Sequence, residues 1–312
     1  MNEIIPPFDA RIVFTDPWLV SPDSTLKICL LAAFVFISCA LAGNYLILRR
    51  MALVGDAMSH SVLPGIVLAF VIANGNGFWV IVGAIIAGLL TTMLIEWIHK
   101  SSIVKQDVAI GVTFTTLFAI GVVLLKLLAG NIHIDTDCVL YGQLETAGTD
   151  GGKIWISGVI AGVTALLVVV FYKQLLVTSF DPTLASSMGI PSQLVHYGLM
   201  AWVSVVVVSA FEAVGSIMVV AMLILPGATG TLLSQRLPRV LALSVIHAVI
   251  SAFAGFHFSL LFNGKFAAGM VVTGFLLFLL AWLFSPSQGL ISRRFARWAL
   301  RRDVRNGALA ES

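Results

Sequence analysis

The chain has 312 residues, of which 59% are hydrophobic and only 11% charged, against roughly 25% charged in an ordinary soluble domain. Its 18 Lys and Arg and 15 Asp and Glu leave a net charge of +3, too small and too dispersed for a nucleic-acid partner, and Cys29, Cys39 and Cys138 form neither a metal-finger spacing nor an even disulfide framework. A soluble enzyme, a disordered chain, a secreted disulfide scaffold and a DNA-binding protein are set aside, leaving an all-α polytopic membrane protein.

Residues 1–24 carry Glu3, Asp9, Asp16 and Asp23, with prolines at 6, 7, 17 and 22. They lack the basic start of a cleavable signal peptide and read as an extracytoplasmic N-terminal segment. A crossing needs about 20 apolar residues. Such runs follow near 26–48, 57–73, 78–98, 108–128, 154–172, 194–211, 213–233, 240–262 and 266–284. They predict nine spans in one transmembrane domain over 25–285, with a basic tail at 286–312. The stretch 194–233 is nearly unbroken. It suffices for two crossings, or for one crossing and a broken, partly re-entrant segment, so an eight-span count stays open. Cytoplasmic loops retain Lys and Arg. With Arg49-Arg50 inside, 13 of the 18 basic residues fall inside, which puts the N-terminus outside and the C-terminus in the cytoplasm.

Ionisable groups inside a span cost about 2.5–3.5 kcal/mol each on insertion scales and are functional hypotheses by default. Asp56 and His60 lie four residues apart just after Arg49-Arg50, so in a helix they share one face. Carboxylate oxygen plus imidazole nitrogen suits Mn(II), Fe(II) or Zn(II). Asp56 as the cap of the second span, with His60 as its hydrogen-bond partner, is the plainer reading; the coincidence of both on one face favours a metal-contacting pair. Ser59 is placed to add a supporting hydrogen bond, and Pro64 should kink the helix one turn later. Glu212 either marks the outer mouth of a span or supplies a third oxygen donor. His247 and His257 are about 15 Å apart along one helix and cannot share an ion; they read as core or interfacial residues. His133, Asp135 and Asp137 alternate in the longest outer loop and offer a cation entry point, or simply solvated polarity.

In the inner loop 173–193, Asp181-Pro182 is a helix start and Gly189 and Pro191 a stop, predicting a short cytoplasmic helix over about 181–190. A phosphate-binding G-x-x-x-x-G-K-[ST] loop is absent, so the chain itself is not expected to be an enzyme hydrolysing ATP. Ser59 and His60 are adjacent and do not face each other on a helix, which defeats an intramembrane hydrolase.

The stretch R-R-M-A-L-V-G-D-A-M-S-H-S-V-L-P-G-I-V-L-A-F at 49–70 resembles the signature of the metal-type ABC transporter permeases, membrane subunits for manganese, zinc or iron uptake. S-F-D-P-T-L-A-S-S-M-G-I-P at 179–191 resembles their coupling helix, and E-A-V-G-S-I-M-V-V-A-M-L-I-L-P-G-A-T-G-T-L-L at 212–233 a third family block. Glu212 stands where members commonly carry glutamine, and Asn263-Gly264-Lys265 where a proline-serine-glycine turn is often seen. The resemblance implies a type II ABC importer permease-like bundle in a bacterial inner membrane. It implies metal-site positions at Asp56 and His60, and ATPase coupling through Phe180, Asp181, Pro182, Ala185 and Gly189. The implied partners are an ABC ATPase, a second identical or paralogous permease, an extracytoplasmic metal-binding protein and membrane lipid. The ion (manganese first, zinc or iron next) passes as cargo, with no cofactor held permanently. A proton-coupled secondary metal transporter, using Asp56 and Glu212 as a relay, is the competing expectation.

Overall fold

Ser21-Pro22 opens the longest helix, proline at the first position presetting its φ. In the computed structural model, which describes residues 16–73, 77–128, 144–262, 264–285 and 289, this helix is central. A short turn, α1 (Asp16–Val20), precedes it; α2 (Pro22–Leu48) then runs through the bundle with Leu31, Phe36, Tyr45 and Leu46 out of contact with solvent. Around it stand α3 (Ala52–Ser61), α4 (Leu63–Ile72), α5 (Gly77–Ser101), α6 (Gln106–Leu128), α7 (Leu144–Ala147), α8 (Gly151–Val170) and α9 (Tyr172–Phe180). The chain continues through α10 (Pro182–Ser187), α11 (Ser192–Val214), α12 (Ser216–Leu233), α13 (Leu237–Leu261) and α14 (Phe266–Phe284). No strand occurs among the described residues, as a membrane-embedded backbone that must satisfy its own hydrogen bonds requires.

Eight helical segments among the described residues are long and apolar enough to cross a membrane, the kinked α3–α4 unit counting as one. The long apolar run over 194–233 resolves at Gly215, whose φ of +87° separates α11 from α12. The 18 residues of α12 span about 27 Å at helical rise, just short of a hydrocarbon core. Gly43 of α2 meets Leu223 while Asn44 and Ile47 meet Gly227, so α12 runs parallel to α2. The count is therefore eight full-length crossings and one shorter apolar helix, within the eight to nine expected.

The bundle has two halves joined by α11 and by the packing of α12 on α3. On one side α2 packs with α8, α12 and α13, and α13 pairs with α14; on the other, α4 lies between α5 and α6 and α3 lies on α6. With no hydrophobic effect between helices in lipid, small residues must let backbones approach. A Cβ on Gly65 would sit 2.3 Å from the Gly83 carbonyl oxygen, and one on Gly255 2.3 Å from the Met270 Cα. Polar ties cross the core as well, with the Ser244 hydroxyl 3.3 Å from Asn44 Oδ1 and 3.0 Å from the Pro226 carbonyl oxygen.

Helix α2 ends in a Schellman motif. The Arg50 N–H donates to the Ile47 carbonyl (3.0 Å) and the Met51 N–H to that of Leu46 (2.8 Å), while Arg50 takes φ +58°. Glycine normally fills that left-handed position, and an L-residue there costs roughly 1–2 kcal/mol. Arg50→Gly should therefore raise stability by up to about 1 kcal/mol once glycine's freer unfolded chain is offset. Thermal unfolding in detergent reads the change.

The sequence expectation differs at two points. Residues 173–180 are helical rather than loop: after a break at Phe171, α9 continues and buries Leu175 and Thr178 against the bundle. The second crossing also begins at Ala52, not near 57.

Candidate functional site

Pro64 lacks an N–H, and the second crossing breaks one turn after His60 into α3 and α4 about Val62. Asp56 lies in the interior of α3 rather than at its start, where Met51 takes the cap position. The capping role for Asp56 is thereby overturned. His60 Nε2 stands 3.5 Å from Asp56 Oδ1, with the His60 side chain 25% and the Asp56 side chain 36% exposed. Two donors at that separation subtend an angle of about 110° at a cation held about 2.1 Å from each, close to tetrahedral. The imidazole is braced by α6, with Phe114 at 6.0 Å and Phe118 edge-on at 5.9 Å between ring centroids. Gly55 lets α3 approach α12, since a Cβ there would lie 2.7 Å from Leu223 Cδ1. Ser59 does not support the pair: its hydroxyl donates back to the Gly55 carbonyl at 2.9 Å. Among the described residues no three His, Cys, Asp or Glu side chains come together. A cation held by these two side chains alone would keep open positions for water, which would favour release over retention.

The second feature lies at the end of the bundle that carries Arg49-Arg50. Asp181 Oδ1 accepts from the Thr183 and Leu184 N–H groups at 2.9 and 3.0 Å and from the Thr183 hydroxyl, capping α10, with Pro182 at its first position. Those bonds hold the Asp181 carboxyl below its ordinary range, led by the Thr183 hydroxyl. The cap is therefore intact at neutral pH and is lost only as pH falls through that lowered value. At the other end, Gly189 takes φ +77° and the Ile190 N–H returns to the Ala185 carbonyl at 3.0 Å. Ala185 is fully buried, whereas Phe180, Leu184 and Met188 are 68%, 52% and 63% exposed. Leu184 and Met188, four residues apart, turn outward from the capped α10 unit, and Phe180 does so at the end of α9, across the extended Asp181.

The ABC 3 transport family model matches residues 22–285. The chain belongs to the ABC 3 transport family. It is 43% identical over 263 residues to the manganese transport system membrane protein MntC of Halalkalibacterium halodurans, covering 84% of this chain and 87% of that one. To the zinc transport system membrane protein TroD of Treponema pallidum it is 37% identical over 291 residues, covering 90% and 79%. Among solved structures, PsaBC from Streptococcus pneumoniae in complex with Fab superposes with a TM-score of 0.75 at 35% identity, over 84% of this chain and 92% of that one. The likeness to metal-type ABC transporter permeases carried by residues 49–70, 179–191 and 212–233 is borne out, and so is the helical membrane bundle.

Within this ABC 3 family fold the other candidates separate. Glu212 lies in the last turn of α11, just before the Gly215 break; its side chain is outside the described residues. So are His133, Asp135 and Asp137. His247 is a core residue, buried edge-on against Phe36 at 6.4 Å, while the Trp18 indole N–H donates to His257 Nε2 at 3.4 Å. Two residues were not singled out from the sequence. Glu96, in the last turns of α5, pairs with Lys100 one turn on and faces His196 of α11, its Oε2 3.7 Å from Nε2. Arg49 reaches Thr178, Ser179 and His196. The Glu96–Lys100 spacing was a readable helical pair; the Arg49 contacts, 129 to 147 residues away in sequence, left no local signal.

Proposed function

We propose that this chain is the permease subunit of an ATP-driven importer of a divalent metal ion, manganese first, with zinc or iron as alternatives. The observation that carries the reading is the Asp56–His60 pair, its donors 3.5 Å apart on one face of α3, in a chain whose relatives are manganese and zinc transport membrane proteins. The pair is half-open, and the neighbouring α6 turns Val112, Phe118, Val122 and Val123 outward. That apolar face supports a path shared with a second permease subunit, identical or paralogous. The exposed Leu184 and Met188 of the capped α10 unit, with Phe180 at the end of α9 beside it, support docking of an ATPase subunit, with Asp181, Pro182, Ala185 and Gly189 fixing the shape of the unit. Arg49, Arg50 and Lys100 at the same end support a cytoplasmic position for it by the positive-inside rule, and with it an N-terminal segment outside and a basic tail inside. A binding protein then delivers metal from outside a bacterial inner membrane.

Reconstituting the permease with its ATPase and binding protein in vesicles tests this. Uptake of radioactive manganese should require ATP inside the ATPase-bearing compartment and fall when excess zinc or iron competes. Uptake driven by a proton gradient without ATP would overturn the reading in favour of a secondary transporter. Membership of the ABC 3 family favours the ATP-driven outcome.

A further inference from the structure

Arg49 ends α2 three residues before the helix that carries Asp56 and His60 begins. Its guanidinium is half-buried and spreads three N–H groups over three neutral acceptors. Nε donates to Ser179 Oγ at 3.1 Å, Nη2 to Thr178 Oγ1 at 3.0 Å, and Nη1 to His196 Nδ1 at 2.9 Å. A guanidinium has no acceptor, so His196 Nδ1 must supply a lone pair and the neutral ring carries its proton on Nε2, towards Glu96. Glu96 is in turn held by Lys100. The hydrogen bonds thus tie together α9, the end of α2 and α11, and Glu96 of α5 stands 3.7 Å beyond His196 Nε2.

Thr178 and Ser179 stand two or three residues before Asp181, and the Asp181 N–H is still bonded to the Val177 carbonyl at 2.9 Å. Any displacement of α10 is therefore passed to the two hydroxyls. On the other side, the Schellman bonds at Arg50 and Met51 make the turn from Arg49 to Ala52 stiff. Hydrogen bonds fail beyond about 3.5 Å, so a shift of about 1 Å in α10 either drags Arg49 and its turn or releases them. Arg49 pairs with no carboxylate among the described residues, and a cleft of about 370 Å³ beside it, lined by Glu96, Lys100, Ser179, Pro182 and His196, gives it room to move. A second metal site at Glu96 and His196 is disfavoured by the positive charge of Arg49 and Lys100 on either side and by the proton on Nε2.

From this geometry we infer that Arg49 is a positioning residue for transport, the link through which movement of α10 reaches the helix bearing Asp56 and His60. The inference rests on the transport reading above.

The test uses the complete complex in vesicles and reads metal taken up per ATP hydrolysed. Arg49→Gln should cut that ratio about tenfold or more, the effect of losing three modest hydrogen bonds, while ATP hydrolysis stays within about twofold. His196→Asn keeps an acceptor at the Nδ1 position and should retain coupling; His196→Leu should lose it. A purely structural role predicts that in an assembled Arg49→Gln complex hydrolysis falls together with uptake, and that result overturns the proposal. If Arg49→Gln does not assemble, the double substitution Thr178→Val with Ser179→Ala decides: a wild-type ratio there overturns the link, and a reduced one supports it. A wild-type complex that takes up no metal with ATP defeats the transport reading itself, whereas a transporting wild type and an equally coupled Arg49→Gln defeat only the link.

Discussion

Replacing Asp56 with alanine should abolish metal uptake while the chain still reaches the membrane and assembles with its partners. The pair supplies one carboxylate oxygen and one imidazole nitrogen, 3.5 Å apart, and a cation shedding water here has no third acidic, imidazole or thiolate donor gathered beside them among the described residues. Disturbing a residue that merely supports a metal ligand costs about 10–100-fold, so removing one of two donors should cost at least about 100-fold in uptake. Folding should suffer little, because the Asp56 side chain is 36% exposed and caps no helix. His60→Ala should match it, with an added packing loss against Phe114 and Phe118. The double substitution should be no worse than either single one, as expected for groups that act as a unit. Isotope uptake, with immunoblotting of membranes and ATP hydrolysis by the complex as controls, reads all three. Normal uptake by Asp56→Ala at normal expression would remove the pair from the pathway.

The features legible in the sequence were those set by local chemistry. Twenty-odd apolar residues from about 26 up to Arg49 can only be a crossing, and α2 covers them, starting about one turn earlier at Pro22. Pro64 broke the second crossing one turn past His60, and Asp181-Pro182 with Gly189 delimited α10. Periodicity put Asp56 and His60 on one face, and they meet there. Contacts made by tertiary packing were not legible. Residues 173–180 read as part of an inner loop, yet Leu175 and Thr178 find a bundle to bury against, and the chain stays helical. Asp56 looked like a cap only while the helix start was placed near 57; its actual start at Ala52 puts the carboxylate on the helix interior. Arg49 signalled orientation through its charge, but its three acceptors come from segments 129 to 147 residues away, and no local pattern announces them.

The largest stability loss is expected at Gly43. In α2 this glycine faces α12 so closely that an ideal Cβ would lie 2.0 Å from the Leu223 carbonyl oxygen and 2.8 Å from its carbonyl carbon. The obstacle is backbone, which cannot rotate away as a side chain can, so Gly43→Ala must push two helices apart along a crossing that also buries Val219 and Met222. Forcing extra methyl groups into a packed core costs about 1–3 kcal/mol and occasionally more, and a backbone clash between two helices belongs at or above about 3 kcal/mol on that scale. Lipid offers no compensating hydrophobic drive, because the helices are held by close packing itself. Gly162 in α8 provides the opposite case. It is exposed, and nothing lies within 4 Å of its missing Cβ. Gly162→Ala should stabilise by roughly 0.5–1 kcal/mol through helix propensity alone. Thermal unfolding of both variants in the same detergent should move in opposite directions. Equal shifts would mean that helix propensity, and not the α2–α12 approach, governs the stability of this bundle. A Gly43→Ala protein that is stable yet inactive would instead make the crossing a moving joint, since α12 also packs on the α3 helix that holds Asp56 and His60.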